Sequence, residues 1–224
     1  MTLTVTVIPE VSPVNELIPI LVLFPSQNEK QLFSSADFSA YCFHCLESSS
    51  LKTMPPLLKG QVNLVAFCQY AIAYAQTHQI KAVYYSFDIG NLVAAVVCQS
   101  LNLFGPRLES VLQCFHKFYA REIDSSPPGY SIVQLENEKE IFIDQRTVNR
   151  LKFPVFVKPV CSSYGMYCGK VDRPEQLQEL CKELARAYQP YWQMYRALFQ
   201  EFVDAKKYPL AVTSRVPLLV EELI

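Results

Sequence analysis

Apolar residues follow two spacings along this chain. Residues 17–24 (LIPILVLF) form a continuous apolar run that ends at Pro25, the length and composition of a buried parallel strand. Residues 40–46 are a second candidate strand. In residues 61–78, Val62, Val65, Ala66, Tyr70, Ala73 and Tyr74 recur near helical spacing. Residues 80–86 (IKAVYYS) are a third strand. Asp88 is placed to cap the next helix, residues 92–103 fill it, and Gly105–Pro106 stops it. Strand, helix, strand, helix is a βαβ rhythm. It predicts a small, mostly parallel sheet with helices on both faces and a right-handed crossover. Functional residues are then expected beyond the carboxyl ends of the strands. Before this block, Pro9 and Pro13 limit residues 1–16 to an arm or lead-in strand.

The pattern changes after about residue 105. Residues 107–122 read as a helix with Leu108, Val111, Leu112, Phe115 and Tyr119 on one side. SSPPG at 125–129 is a linker. Residues 130–135 are strand-like, 153–160 (FPVFVKPV) form a strong strand, and 167–171 are its hairpin partner. Asp172 is expected to cap a helix with Pro174 in its first turn and Glu175 closing a capping box. That helix is expected to run to about Tyr188, with a second over 191–205 and a last strand over 216–224. The chain therefore divides into an arm (1–16), a Rossmann-like domain (17–105), a linking helix and linker (106–130) and a small α+β subdomain (131–224).

Composition narrows the function classes. The 224 residues carry 20 basic and 21 acidic side chains, a formal net charge of −1, so no electrostatic footprint for nucleic acid exists. Half the residues are hydrophobic, which excludes a disordered chain. Six glycines fall below the usual share of about 7%, and Pro25-Ser-Gln-Asn-Glu29 after the first strand has none. A dinucleotide-binding dehydrogenase or a methyltransferase domain is discounted on that ground. Residues 60–80 lack charged side chains but hold three glutamines besides Gln61, with Asn63 and His78, so a buried helix is expected rather than a membrane span. No basic leader precedes the first strand, so the eight cysteines are expected to be reduced cytosolic thiols packed as small hydrophobes.

The chemistry concentrates in residues 152–170, KFPVFVKPVCSSYGMYCGK. A strand delivers Lys158 at its far end, Pro159 stiffens the exit, and Cys161-Ser-Ser-Tyr-Gly165 makes a small hydroxyl-bearing turn. A lysine ammonium beside a loop of backbone N–H groups can hold phosphates. A plain hairpin with a solvated lysine fits the same residues. Phe153–Lys158 with Pro159 and Ser162-Ser163-Tyr164-Gly165 resembles the strand, lysine and flexible loop of the ATP-grasp superfamily. Leu103-Phe-Gly-Pro106, Ser110 and Cys114-Phe-His-Lys-Phe-Tyr-Ala-Arg121 resemble that family's entry segment. Leu218-Leu-Val-Glu-Glu-Leu-Ile224 resembles its adenine hinge.

The resemblance implies an α/β lead-in domain followed by an α+β ATP-grasp lid. Lys117 and Lys158 become the two nucleotide lysines, and Ser162, Ser163, Tyr164 and Gly165 the phosphate loop. Glu221 and the backbone of Glu222 lie near the exocyclic amine of adenine, followed by Leu223, and the N–H of Ile224 faces a ring nitrogen. The implied activity is an ATP-dependent ligase that joins a small carboxylate to an amine, or a thiol, through an acyl phosphate. The closer likeness is to L-amino-acid ligases. The D-alanine ligase pattern fails at Tyr84-Tyr-Ser-Phe-Asp-Ile-Gly90.

Three departures shape the expectation. Gly165 stands alone in a loop usually richer in glycine. The distance from Lys158 to Glu221 suggests an insertion around 188–208. The family's magnesium ligands and catalytic arginine follow the hinge, so the sequence is expected to hold the ATP-binding portion without the C-terminal half. Magnesium would be needed for catalysis, with its ligands outside this chain. Apolar surface on 191–205 and the last strand would then favour self-association or a partner chain. The alternative is a non-catalytic nucleotide-binding or scaffolding protein on a degenerate form of the fold.

Weaker signals have plain explanations. Cys42-Phe-His-Cys45 has metal-like spacing but no second ligand pair. On a strand Cys42 and His44 share one face and Cys45 takes the other, so core packing is expected over a metal or redox site. His116 is expected as a satisfied surface imidazole rather than a base, and His78 as a helix-end residue. Asp88 reads as a cap before a ribose contact. Tyr188, Tyr191, Trp192, Tyr195 and Phe199 read as packing before a ligand platform.

Overall fold

The run at 17–24 must be covered on both faces, and it lies inside the first sheet. A computed structural model describes residues 3–8, 17–48, 62–136, 141–143, 148–163 and 165–223. The chain divides into two compact units, Met1–Val111 and Leu112–Ile224.

In the first unit, strands β1 (Leu3–Ile8), β2 (Ile18–Leu23), β3 (Tyr41–Ser48) and β4 (Ala82–Tyr85) form a sheet in the order β1-β3-β2-β4. β2 runs parallel to β3 and β4, and β1 adds an antiparallel edge along β3. The sheet is therefore mixed, and part of the expected arm belongs to it. Helix α1 (Gln27–Phe33) and the 3-10 turn Ala36–Phe38 cover one face, where Val22, Phe33, Phe43 and Cys45 form a core. Helices α2 (Leu64–Thr77) and α3 (Asp88–Leu101) pack on each other, and α3 packs on β2 and β4.

Two helix ends differ from expectation. Phe87, in extended conformation, takes the cap position of α3, so Asp88 is its first residue and favours the helix dipole from there. The stop is Asn102 at φ 53°, whose N–H returns to Cys98 O, three residues ahead of Gly105.

The predicted helix over 107–122 is two helices, α4 (Leu108–Phe115) and α5 (Lys117–Ile123). His116 is extended between them, and the Lys117 amide donates to Val160 O at 2.8 Å instead of continuing the helix. In the second unit, β5 (Tyr130–Leu135), β6 (Ile141–Ile143), β7 (Val155–Pro159), β8 (Gly169–Val171) and β9 (Val216–Glu222) form an antiparallel sheet in the order β6-β5-β9-β7-β8.

Helix α6 (Pro174–Phe202) lies against β5, β7, β8 and β9. Arg173 is its cap position, and Gln176 Oε1 accepts from the Arg173 N–H at 3.3 Å. Asp172 is paired with Lys170 at 2.7 Å instead of capping, and Glu175 closes no capping box. The two expected helices are one element of 29 residues that continues through Pro190. Tyr188, Tyr191, Trp192, Tyr195 and Phe199 are buried on both sides of that proline, and packing outweighs the lost hydrogen bond. These rings and the central strand β9 are covered within the chain, so the apolar surface expected there is not exposed. Among the described residues, no helix is long and apolar enough to cross a membrane.

Candidate nucleotide site

The second unit gathers cations around one carboxylate. On α5, Lys117 and Arg121 are four residues apart and share a face. On β7, burial alternates, so Phe156 and Lys158 occupy the face opposite buried Val155 and Val157. Glu221 on β9 pairs with Phe156 in register, which sets its carboxylate diagonal to Lys158. Lys158 Nζ donates to Glu221 Oε1. Arg121 Nε and Nη2 each reach Glu221 Oε2 at 3.0 Å. The side chains of Lys158 and Glu221 are 15% and 11% exposed, so these charges lie in partly dry surroundings.

Lys117 meets the loop instead. Its Nζ donates to Ser162 O at 2.7 Å and to Ser162 Oγ at 3.1 Å. Burial, with Lys158 a smaller contributor, pushes the Lys117 ammonium below its ordinary value. The loop has a second tether one residue earlier, where the buried Tyr188 hydroxyl donates to Cys161 O at 2.8 Å. Burial raises the Cys161 thiol, so it behaves as a packed apolar group. Gly165 sits at φ +67° with nothing within 4 Å of an added Cβ, so the backbone conformation favours glycine there.

Lys117, Lys158, Ser162 and Glu221 thus come together in one unit. Ser163 O accepts from Met166 N at 3.3 Å within the same loop. Glu222 turns away: its Oε1 accepts from Lys152 N at 2.7 Å, and its N–H donates to Gly129 O at 2.8 Å. A Cβ at Gly129 would fall 2.7 Å from Glu222 Cδ, so a side chain there would displace the Glu222 carboxylate. Leu223 is half exposed, and its N–H reaches Pro154 O at 3.4 Å. Tyr164 and Ile224 lie outside the described residues.

Two contributors were missed in the sequence. Arg121 could have been found from its spacing to Lys117. Tyr188 has no sequence signal, because it meets Cys161 only through the fold. His116 is a correction. It is fully buried against Tyr119 and Trp192, with no hydrogen-bond partner among the described residues at either ring nitrogen. Burial first, and Lys117 second, push the imidazole down to about 3, so it is neutral at pH 7.

The charge arrangement fits a polyphosphate, with three cations against one carboxylate beside a hydroxyl-bearing loop. It does not fit a magnesium ion. Among the described residues no three His, Cys, Asp or Glu side chains gather to hold a metal, and Glu221 is committed to two cations.

No protein-family model matches the chain, and no curated protein matches it. Solved structures do. An L-amino acid ligase from Bacillus licheniformis superposes with a TM-score of 0.56 at 14% identity, over 92% of this chain and 46% of the ligase. Pyruvate carboxylase from Rhizobium etli gives 0.53 at 14% identity, over 93% of this chain and 18% of that enzyme. The chain spans less than half the length of either. At this identity the likeness speaks for the fold alone, which the chain shares with these two enzymes over nearly its whole length.

Proposed function

We propose that the chain is the ATP-binding portion of an ATP-dependent carboxylate–amine, or carboxylate–thiol, ligase. The observation that carries this reading is the excess of positive charge at the Lys117, Arg121, Lys158 and Glu221 cluster beside the Ser162 loop. Preorganised cations and a closing loop are what transfer of a phosphoryl group asks of a protein.

On this reading the phosphates of ATP take the ammonium groups of Lys117 and Lys158. Arg121 keeps Glu221 Oε2, so the carboxylate stays oriented when Lys158 turns to a phosphate. Ser162, Ser163, Tyr164 and Gly165 fold over the phosphates and exclude water. Glu221 and the backbone of Glu222 lie near the exocyclic amine of adenine, followed by Leu223, and the N–H of Ile224 faces a ring nitrogen. A substrate carboxylate oxygen forms a bond to the γ-phosphorus as the bond to ADP breaks. The amine then forms the C–N bond, inorganic phosphate leaves, and the amine loses its proton to solvent. Magnesium would supply charge neutralisation when bound. On this reading its ligands and the remaining catalytic groups lie outside the cluster of Lys117, Arg121, Lys158 and Glu221.

Equilibrium dialysis with Mg-ATP tests the reading. One nucleotide per chain is expected, with affinity down by about tenfold in Lys117→Ala and in Lys158→Ala. Equal binding by all three proteins would overturn the assignment. One observation favours a second reading, a non-catalytic nucleotide-binding or scaffolding protein: each of the three cations already has an acceptor within the chain. Complementation with a C-terminal ATP-grasp half separates the two, since only the ligase reading predicts ADP release dependent on a carboxylate and an amine.

A further inference from the structure

We propose that Cys42, His44 and Tyr74 form a nucleophilic thiol site in the first unit that takes small carbon electrophiles. The site does not depend on the nucleotide reading. Cys42 and His44 are two apart on β3, so the pleat turns both to one face, while Cys45 joins the core on the other. Cys42 Sγ lies 3.6 Å from His44 Nε2. On the far side of the ring, His44 Nδ1 lies 2.9 Å from the hydroxyl of Tyr74 on α2. A nucleophile, a base within hydrogen-bond reach and a third group orienting the base is the arrangement by which proteins activate a thiol or hydroxyl.

In the tautomer where Nδ1–H donates to Tyr74, the Nε2 lone pair faces the thiol. Among the described residues, the titratable groups beside this pair are His78 and Tyr70, whose ring stacks on that of Tyr74 at 6.2 Å. His78, at the end of α2, holds its ring 5.3 Å from that of His44 and 4.1 Å from that of Tyr74. The neighbours across the sheet are apolar, Val7 on β1 and Leu21 on β2. Burial, then His78, lowers the His44 imidazole, which is therefore neutral at pH 7. Burial raises the Cys42 thiol, so the sulfur carries its proton until it reacts. The route is proton transfer in the reacting complex, not a preformed thiolate.

Alkylation shows the balance. The Cys42 sulfur forms a bond to the electrophilic carbon, the bond from that carbon to its leaving group breaks, and the thiol proton passes to His44 Nε2 and on to water. The other cysteines lack this arrangement. Cys45, Cys68, Cys98, Cys161 and Cys181 are buried, and Cys168 Sγ donates to Met166 O at 3.2 Å. Cys114 is exposed and serves as the internal reference.

The test is time-resolved labelling of the native chain with iodoacetamide, read peptide by peptide by mass spectrometry. Cys42 is expected to react about tenfold faster than Cys114 at pH 7 although it is less exposed. Its rate is expected to stay nearly level between pH 7 and 8, where an ordinary thiol gains several-fold. Tyr74→Phe lowers the Cys42 rate severalfold and His44→Gln by about tenfold, with the Cys114 rate unchanged. A wild-type Cys42 slower than Cys114, or one that follows pH as an ordinary thiol does, would overturn the proposal. Because His44 is buried, the wild-type profile and Tyr74→Phe decide the matter if His44→Gln unfolds.

Discussion

Lys158 and Arg121 hold opposite oxygens of the Glu221 carboxylate, one from β7 and one from α5. Among the described residues the carboxylate is the one anionic partner of either cation, and all three groups are largely withdrawn from water. Removing it leaves two neighbouring positive charges facing each other. Glu221→Gln should therefore destabilise the second unit by about 2 to 3 kcal/mol, toward the low end for a broken buried pair because Arg121 keeps some exposure. Urea unfolding at low and high salt checks this, and added salt should recover part of the loss.

Tyr188 bears on the loop through a single bond. Its hydroxyl is buried and donates to Cys161 O, next to the residue that accepts from Lys117. Tyr188→Phe should cost about 1 to 3 kcal/mol by leaving that carbonyl unpaired. It should also weaken ATP binding more than adenosine binding, because only ATP engages the loop. Denaturant midpoints and parallel titrations with the two ligands measure both effects.

His116 makes stability depend on acid. Its folded value, about 3, lies below the ordinary 6.5, so below pH 6.5 the unfolded chain binds the proton first. The stability it contributes is present above pH 6.5 and is lost as pH falls toward 3. Between pH 6.5 and 5 the loss reaches about 2 kcal/mol. His116→Phe should flatten that part of the profile, measured as unfolding free energy at stepped pH.

A phosphate ligand competes with the Lys117–Ser162 contact. Ser162→Ala removes one of two acceptors and leaves the carbonyl. Partial release of the ammonium should make the loop around residues 162–168 exchange amide hydrogens faster in the ligand-free protein. Hydrogen exchange mass spectrometry reads that change, and protection should return on addition of Mg-ATP.

The strands were legible in the sequence because their signals are local. The LIPILVLF run gave β2, and the alternation in residues 130–135 gave β5 at the bounds observed. α1 was passed over although Ser26 and Glu29 form a capping box, with Ser26 N to Glu29 Oε2 at 2.7 Å and Glu29 N to Ser26 Oγ at 3.2 Å. The unbroken α6 was not legible, since Pro190 argues for a stop and only the buried aromatic face overrides it. The split at His116 was hidden for the same kind of reason, because the Lys117 amide is taken by Val160, 43 residues away in sequence. Lys158 was singled out from its strand and the loop after it, and Lys117 only by resemblance. The pairing of Glu221 with Lys158 and Arg121 required the register of β7 against β9.

The central claim is that Lys158 belongs to a nucleotide site. Thermal melts of the wild-type chain and of Lys158→Ala, each with and without Mg-ATP, test it most directly. At about 100 times the dissociation constant, the wild type should gain about 2.7 kcal/mol, and the variant should gain little. A folded wild-type chain that shows no gain, or an equal gain in Lys158→Ala, would contradict the account.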